Sequence, residues 1–403
     1  MQRILKFVKY LPQFGWQPTV LTVGNVAYFA KDDSLLKELD GLNIEIVRTS
    51  SLDPNSLLKN NKIVKLPKER TQKFFRLLTD MFFIPDNKIG WKRHAVKVGS
   101  DILKKNSFDV IFASSPPQTG FLIAHALKQR FKLPLVIDYR DAWVDYPFKW
   151  YPTPIHKYLN YRKERKILRA ADSIVTASRR VKELILRRYK FLSYHDVQLI
   201  SQGFDPDDMT IDNKELLPYT EKMRFTYSGM FYEDRSPAYF LEALLQVFKN
   251  NPQLRGRIEV CFVGAFRTEY INLINKMRLQ DSVNIIGYID HKEAVKYLLA
   301  SDVLWMMMQD DESSPGKIFE YIGTGKKILG CVPNGNMRAL ITEANGICVD
   351  PKNVQQIADA IVTCYRQFDR RELRGAPSAV IQKYNRFYLT GELAKVLTRH
   401  LEV

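Results

Sequence analysis

The stretch Ser313 to Gly330, SSPGKIFEYIGTGKKILG, gathers groups suited to a phosphorylated ligand. Glu312 precedes it, Glu320 lies eight residues beyond Glu312, and Lys317 stands between them, directly after Pro315 and Gly316. A helix start beside a glycine lets backbone N–H groups approach an anion, here from about Ser314 to Lys317, and the lysine adds a full charge. Arg235, in the loop EDR, offers a second. Glu320, about one turn into the helix, is placed to accept hydrogen bonds from ribose hydroxyls, and Glu312 to reach a sugar. Together they would grip a nucleotide diphospho-sugar from both ends. Plainer readings stand beside this one: Lys317 as a solvated lysine, Arg235 as the balance of Glu233 and Asp234, Glu320 as a helix-surface charge.

These residues need elements to position them. The first half alternates helix and strand: RILKFVKYLPQ, PTVLTV, NIEIVRT, FDVIFASSPP, TGFLIAHALKQRF, LPLVIDYRDAW, ADSIVTAS and DVQLISQGF. A second alternation starts near Arg224, through RFTYSGMF, RIEVCFVGAF, SVNIIGYI, VLWMMM, KILGCV and GICVD with helical stretches between. Strict alternation predicts parallel, doubly wound sheets, so the fold class is α/β with two Rossmann-like domains. The polar segment GFDPDDMTIDNKELLPYTEK reads as the linker. The expected division is 1–205 for the first domain and 206–378 for the second, with the terminal helix 379–403 returning to the first. Ligands of open α/β sheets bind beyond the carboxyl ends of the strands. In the second domain those ends carry Ser228 and Gly229, Gly264, Tyr288 and Ile289, and the Glu312–Glu320 stretch.

Composition narrows the classes. The 403 residues are enough for two domains, and the 45% hydrophobic and 26% charged content is ordinary for globular chains. No apolar run approaches a membrane span, and Met1 to Val23 carries charges throughout without a small-residue cleavage site, so a cytoplasmic location is expected. The net charge of +17 favours anionic partners. The four cysteines form no C-x-x-C pair and read as small core residues, and no histidine has metal-ligand spacing. His125, in an apolar helix, reads as structural.

The Glu-x7-Glu spacing, set before a Pro-Gly-Lys helix start in the second of two Rossmann-like halves, resembles the donor-site signature of retaining GT-B glycosyltransferases of the group 1, family four type. LKFVKYLPQFGWQPTVLTV, SSPPQTGFLIAHAL, LPLVIDYRDAWVD, ADSIVTASRRVKELI, LISQGFDPDDM and EANGICVDPKNVQQIADAI look like that family's landmarks in their usual order. The resemblance implies two Rossmann-like domains facing across a cleft and transfer of a sugar from a nucleotide diphospho-sugar to a glycan or lipid-linked acceptor with retention of configuration. It implies that Glu312 and the backbone of Ser313, Ser314 and Gly316 meet the sugar. Lys317 and Arg235 would neutralise the diphosphate, with no metal and no other cofactor expected. Glu320 would hold the ribose. Ser228, Gly229, Gly264, Tyr288, Ile289 and Ile318 would complete the donor site. Arg140 and Asp141, in DYRDAW, would face the cleft from the first domain; their plainer reading is an ion pair bracing the loop.

Two features depart from the family pattern. Met230 stands where many relatives carry a basic residue after the SG of the loop. The sequence also starts at a helix where the family has a buried strand and Gly-rich loop; loss of that strand would leave unpaired backbone on both neighbours, which suggests a late start or truncation. The basic and aromatic stretches KFFRLLTDMFFIPDNKIGWKRHAVK and YRKERKILRAADSIVTASRRVKELILRRYK suit an anionic membrane surface. The alternatives are a sugar-nucleotide 2-epimerase and an inactive truncated nucleotide-sugar binder. Nucleic-acid binding lacks a recognition motif, and no G-x-G-x-x-G follows a strand to support a dehydrogenase.

Overall fold

The computed structural model describes residues 2–24, 38–52, 79–146, 149–212, 217–231, 235–310 and 316–401. It divides into two compact units, Met1–Gln202 with Leu389–Val403, and Gly203–Tyr388. The return to the first unit thus begins ten residues later than residue 379, because the chain there first packs into the second unit. Tyr384 is buried in that unit's core, and Arg386 N donates to Phe204 O at 2.9 Å.

The first unit carries α1 (Gln2–Tyr10), β1 (Thr19–Val23), β2 (Glu45–Thr49), α2 (Lys92–Lys105), β3 (Ile111–Ser115), α3 (Thr119–Phe131), β4 (Leu135–Tyr139), α4 (Pro154–Ala170), β5 (Ser173–Thr176), α5 (Arg179–Arg188) and β6 (Val197–Leu199). Among the described residues its strands form two separate parallel sheets, β1-β2 and β3-β4-β5-β6. Helix α1 packs on both. Leu5 and Val8 meet Val20 and Ile46, while Phe7 and Leu11 meet Phe112, Val136 and Val175. All five residues of β4 are buried, whereas β1 is half-buried throughout.

The second unit carries β7 (Met223–Ser228), α6 (Ala238–Asn250), β8 (Ile258–Val263), α7 (Thr268–Lys276), β9 (Val283–Gly287), α8 (His291–Leu299), β10 (Val303–Met307), α9 (Lys317–Gly323), β11 (Lys327–Cys331), α10 (Asn336–Glu343), β12 (Ile347–Val349), α11 (Val354–Asp369) and α12 (Ser378–Lys383); α13 (Arg386–Thr398) leads back. Six parallel strands run in the order β12-β11-β10-β7-β8-β9. Strand β10 shows why the sheet is so apolar. Val303, Trp305 and Met307 point into one core with Phe240 and Ile361, while Leu304 and Met306 point into the opposite core with Ile318, Tyr321 and Ile341. A strand covered on both faces needs apolar residues at every position, so VLWMM shows no alternation. From β7 the chain winds outward through β8 and β9, then crosses to β10 on the other side of β7. That reversal opens a crevice at the carboxyl ends of β7 and β10.

Candidate active site

Lys317 bridges this switch point. It opens α9, which follows β10, and its Nζ donates to Ser228 O at the end of β7 over 2.7 Å. Tyr321, one turn along the same helix, accepts from Ser228 N at 2.9 Å. The spacing of four residues puts both side chains on one helical face, so both backbone groups of Ser228 are held from α9. Tyr321 was not among the residues the sequence singled out; its only signal was that spacing from Lys317.

Beside this clamp lies a floor without side chains. Gly229, Gly264 and Gly287 end β7, β8 and β9 with φ of 147°, 130° and 81°. Gly229 N donates to Val263 O, and Gly264 N to Gly287 O, each at 2.7 Å. A Cβ on Gly229 would fall well inside 3.0 Å of Lys317 Nζ, and one on Gly264 would strike Gly229 O. Backbone conformation and space therefore both demand glycine here. Gly287 escaped the sequence reading, which chose the following Tyr288 and Ile289. The signal was present, since FVGAF and IGYID each place a glycine at a strand end; the pairing of Val263 with Gly287 brings them into line.

The electrostatics fit an anion. Burial lowers the Lys317 ammonium pKa, Glu320 opposes this, and Arg235 lowers it further. A lysine held among protein atoms with a second cation nearby is relieved by a bound anion. Arg235 itself is buried. Burial raises the Glu320 carboxyl, against the pull of His291 and Lys317. His291 Nε2 in turn lies 3.3 Å from Asp208 Oδ2, so Glu320 sits in a small charged cluster and is no solvated surface group. Gly316 is exposed ahead of α9. Ile318 is fully buried in the core, which leaves its backbone alone available to a ligand. Tyr288 is exposed and Ile289 half-buried; Met230 is half exposed. Glu312, Ser313 and Ser314 lie outside the described residues, as do Glu233 and Asp234.

In the first unit, Arg140 and Asp141 follow β4. No ion pair joins them among the described residues, so the bracing takes another form. Arg140 Nε donates to Ser115 O at 3.4 Å, and its guanidinium also reaches Pro116 O, which ties the loop after β4 to the end of β3 and the start of the loop that follows it. Burial lowers the Arg140 pKa, with Asp138 and Asp141 opposing. Beneath it lies an ion pair that the sequence did not reveal. Arg3 of α1 binds the Asp138 carboxylate at 2.9 Å and 3.1 Å and donates to Ile200 O and Ser201 O, while Ser114 Oγ donates to Asp138 at 2.8 Å.

Comparisons with known proteins agree with this architecture. Residues 208–372 match the family described as Glycosyl transferases group 1, and residues 2–208, more than half of the chain, match Glycosyltransferase Family 4. No curated protein gives a significant match. Among solved structures, HepE of Anabaena in complex with UDP is similar at 15% identity and a TM-score of 0.64, covering 98% of this chain and 95% of that one. A glycosyltransferase from Rickettsia africae ESF-5 is similar at 17% identity and a TM-score of 0.64, covering 99% and 94%. A putative UDP-N-acetylglucosamine 2-epimerase from Listeria monocytogenes shares the fold at 12% identity and a TM-score of 0.57, covering 96% and 97%. With a six-stranded parallel sheet, a cation at its switch point and both halves matched in order, the chain belongs to Glycosyltransferase Family 4, a glycosyltransferase of the GT-B fold with a group 1 second half.

Proposed function

We propose that this enzyme moves a sugar from a nucleotide diphospho-sugar to a glycan or lipid-linked acceptor, with retention of configuration, in surface-polysaccharide or glycolipid synthesis such as lipopolysaccharide or capsule. The observation that carries the reading is Lys317 Nζ, 2.7 Å from Ser228 O and directly over Gly229 at the strand crevice. A fixed cation above a floor of bare backbone suits the diphosphate, which gains negative charge as the sugar bond breaks. Stabilising that departing charge is the largest service the protein can render. Lys317 and Arg235 serve it in place of a metal. Glu320 accepts from the ribose hydroxyls, and Glu312 with the backbone of Ser313, Ser314 and Gly316 meets the transferred sugar. Arg140 and Asp141 serve the acceptor side.

Retention follows if the acceptor attacks the face from which the nucleotide departs, through an oxocarbenium-like transition state. The acceptor hydroxyl forms the new bond to the anomeric carbon as the sugar–phosphate bond breaks. Its proton passes to the leaving phosphate oxygen. The reaction would run at the cytoplasmic side, on a membrane surface where the acceptor is lipid-linked. The test is incubation with nucleotide sugar and a lipid-linked or glycan acceptor, with the product's anomeric configuration read by NMR. Transfer with retention supports the reading. Interconversion of the nucleotide sugar without acceptor would favour the epimerase class instead, and an inverted product would refute retention.

A further inference from the structure

The first unit exposes an apolar knob where residues 79–82 meet the start of α4. Phe82 is 74% exposed, Ile155 67% and Tyr158 57%, with Met81 and Trp150 exposed beside them in the chain. Specific contacts bring these segments together. His156 Nε2 lies 3.0 Å from Met81 O, and Lys149 Nζ donates to Pro85 O at 3.3 Å. Thr153 caps α4 through His156 N, which fixes the first turn that carries Ile155.

Along α4 the same outer face changes character. Ile155 and Tyr158 are one turn apart; Arg162 follows one turn on, its guanidinium 5.9 Å from the Tyr158 ring centre, and Lys166 one turn beyond that. Lys163 stands alongside, half-buried, its ammonium pKa lowered by burial and then by the neighbouring charges of Lys92 and Lys166. Among the described residues no carboxylate forms an ion pair with Arg162, Lys163 or Lys166. At the helical rise, Arg162 lies about 10 Å and Lys166 about 16 Å along the axis from Ile155. An amphipathic surface element buries its apolar part about 5–10 Å into the boundary between headgroups and acyl chains, with cations at the phosphates. Exposed aromatic and aliphatic side chains at one end, followed by cations that form no ion pair among the described residues, match that profile. A second copy of the chain would set these cations against each other.

We propose that this face docks the enzyme on an anionic bilayer, with Met81, Phe82, Ile155 and Tyr158 entering below the headgroups and Arg162, Lys163 and Lys166 meeting lipid phosphates. The inference adds a docking face to the lipid-linked acceptor reading above and rests on it for its purpose, while the binding itself is testable without transfer. The experiment is co-sedimentation of the full chain with vesicles of phosphatidylcholine alone and of phosphatidylcholine mixed with phosphatidylglycerol. It compares wild type with Phe82→Ser/Ile155→Ser and Arg162→Glu/Lys166→Glu, and nucleotide-induced thermal shifts monitor the donor site in each. Wild type is expected to bind the anionic vesicles, less so as salt rises. Each double variant should lose about tenfold or more in partitioning and keep its thermal shift. Equal binding to neutral vesicles, unchanged binding by both variants, or a vesicle-free dimer abolished by Phe82→Ser/Ile155→Ser would overturn the proposal. Vesicle binding that depends on both sets of residues, in a chain giving no nucleotide shift, would support docking and count against the transferase reading alone.

Discussion

Lys317 and Tyr321 hold opposite backbone groups of one residue. The ammonium takes the Ser228 carbonyl at 2.7 Å, and the phenol accepts the Ser228 N–H at 2.9 Å. Strand β7 is thereby fixed to the helix that follows β10, at the point where the sheet reverses its winding. Lys317→Ala removes a tie to β7 and, on the proposed function, a charge for the diphosphate. Its kcat is expected to fall about 100-fold or more, by analogy with loss of a transition-state donor. Tyr321→Phe keeps the charge and leaves the half-buried Ser228 N–H without its acceptor. It should cost about 1–3 kcal/mol in stability by denaturant unfolding, with a smaller loss of rate.

Gly229→Ala and Gly264→Ala probe the bare floor. Both positions have positive φ and meet backbone or the Lys317 ammonium where a methyl group would stand. Gly229→Ala is expected to weaken binding of nucleoside diphosphate at least tenfold while the fold survives, because the flexible Lys317 side chain yields. Gly264→Ala meets backbone and should lower the unfolding midpoint more, on the order of 2 kcal/mol or above. Calorimetric titration and denaturant melts separate the two effects.

Glu320 holds the ribose in the proposed function, and on that proposal its removal should matter only when hydroxyls are present. Glu320→Ala is expected to weaken nucleoside diphosphate binding by about 1–3 kcal/mol, as for a hydrogen bond to a charged group, and to leave the weaker binding of the 2′,3′-dideoxy analogue unchanged. Equal losses for both ligands would remove that assignment.

Asp138 tests how the first unit supports Arg140. Its carboxylate is fully buried and held by Arg3 and Ser114. Arg3→Ala leaves that charge uncompensated and should cost about 3–5 kcal/mol, whereas the double change Arg3→Met/Asp138→Leu should recover much of the loss. Urea melts of the three proteins decide this.

Glu164 gives a pH signature. It is buried on α4, accepting the hydroxyls of Tyr139 at 3.0 Å and Tyr189 at 2.6 Å. Burial pushes its carboxyl up to about 7 from 4.5, against those hydrogen bonds. A raised folded value means that the folded chain holds a proton which the unfolded chain has released between pH 4.5 and about 7. Stability therefore falls as pH rises through that window, by an amount on the order of 3 kcal/mol, and levels off above it. Glu164→Gln should abolish this slope, so the melting difference between variant and wild type should grow from pH 4.5 to 7 in the variant's favour. A parallel pair of curves would show that Glu164 titrates normally.

Local patterns made part of this legible in the sequence. The alternation of strands and helices, the continuous apolar run of β10 and the Pro-Gly-Lys start before Glu320 are all contained within short stretches. What escaped notice depends on long-range assembly. Arg3 and Asp138 are 135 residues apart. Tyr139 on β4, Glu164 on α4 and Tyr189 just after α5 are 25 residues apart at each step. The sequence places Ile318 among the donor-binding residues, and what it does not show is that the side chain is fully buried in the core, which leaves only the backbone for a ligand. Arg140 and Asp141 are adjacent in sequence, but the carbonyls of Ser115 and Pro116, at the end of β3 and just beyond it, take the guanidinium instead.

The most direct test is a thermal-shift screen of nucleotide diphosphates and nucleotide sugars with chelator present, on wild type, Lys317→Ala and Glu320→Ala. Stabilisation of wild type by one sugar nucleotide, lost in the lysine variant and reduced in the glutamate variant, is the predicted result. An undiminished shift in Lys317→Ala would contradict the placement of the donor diphosphate at the β7–β10 crevice.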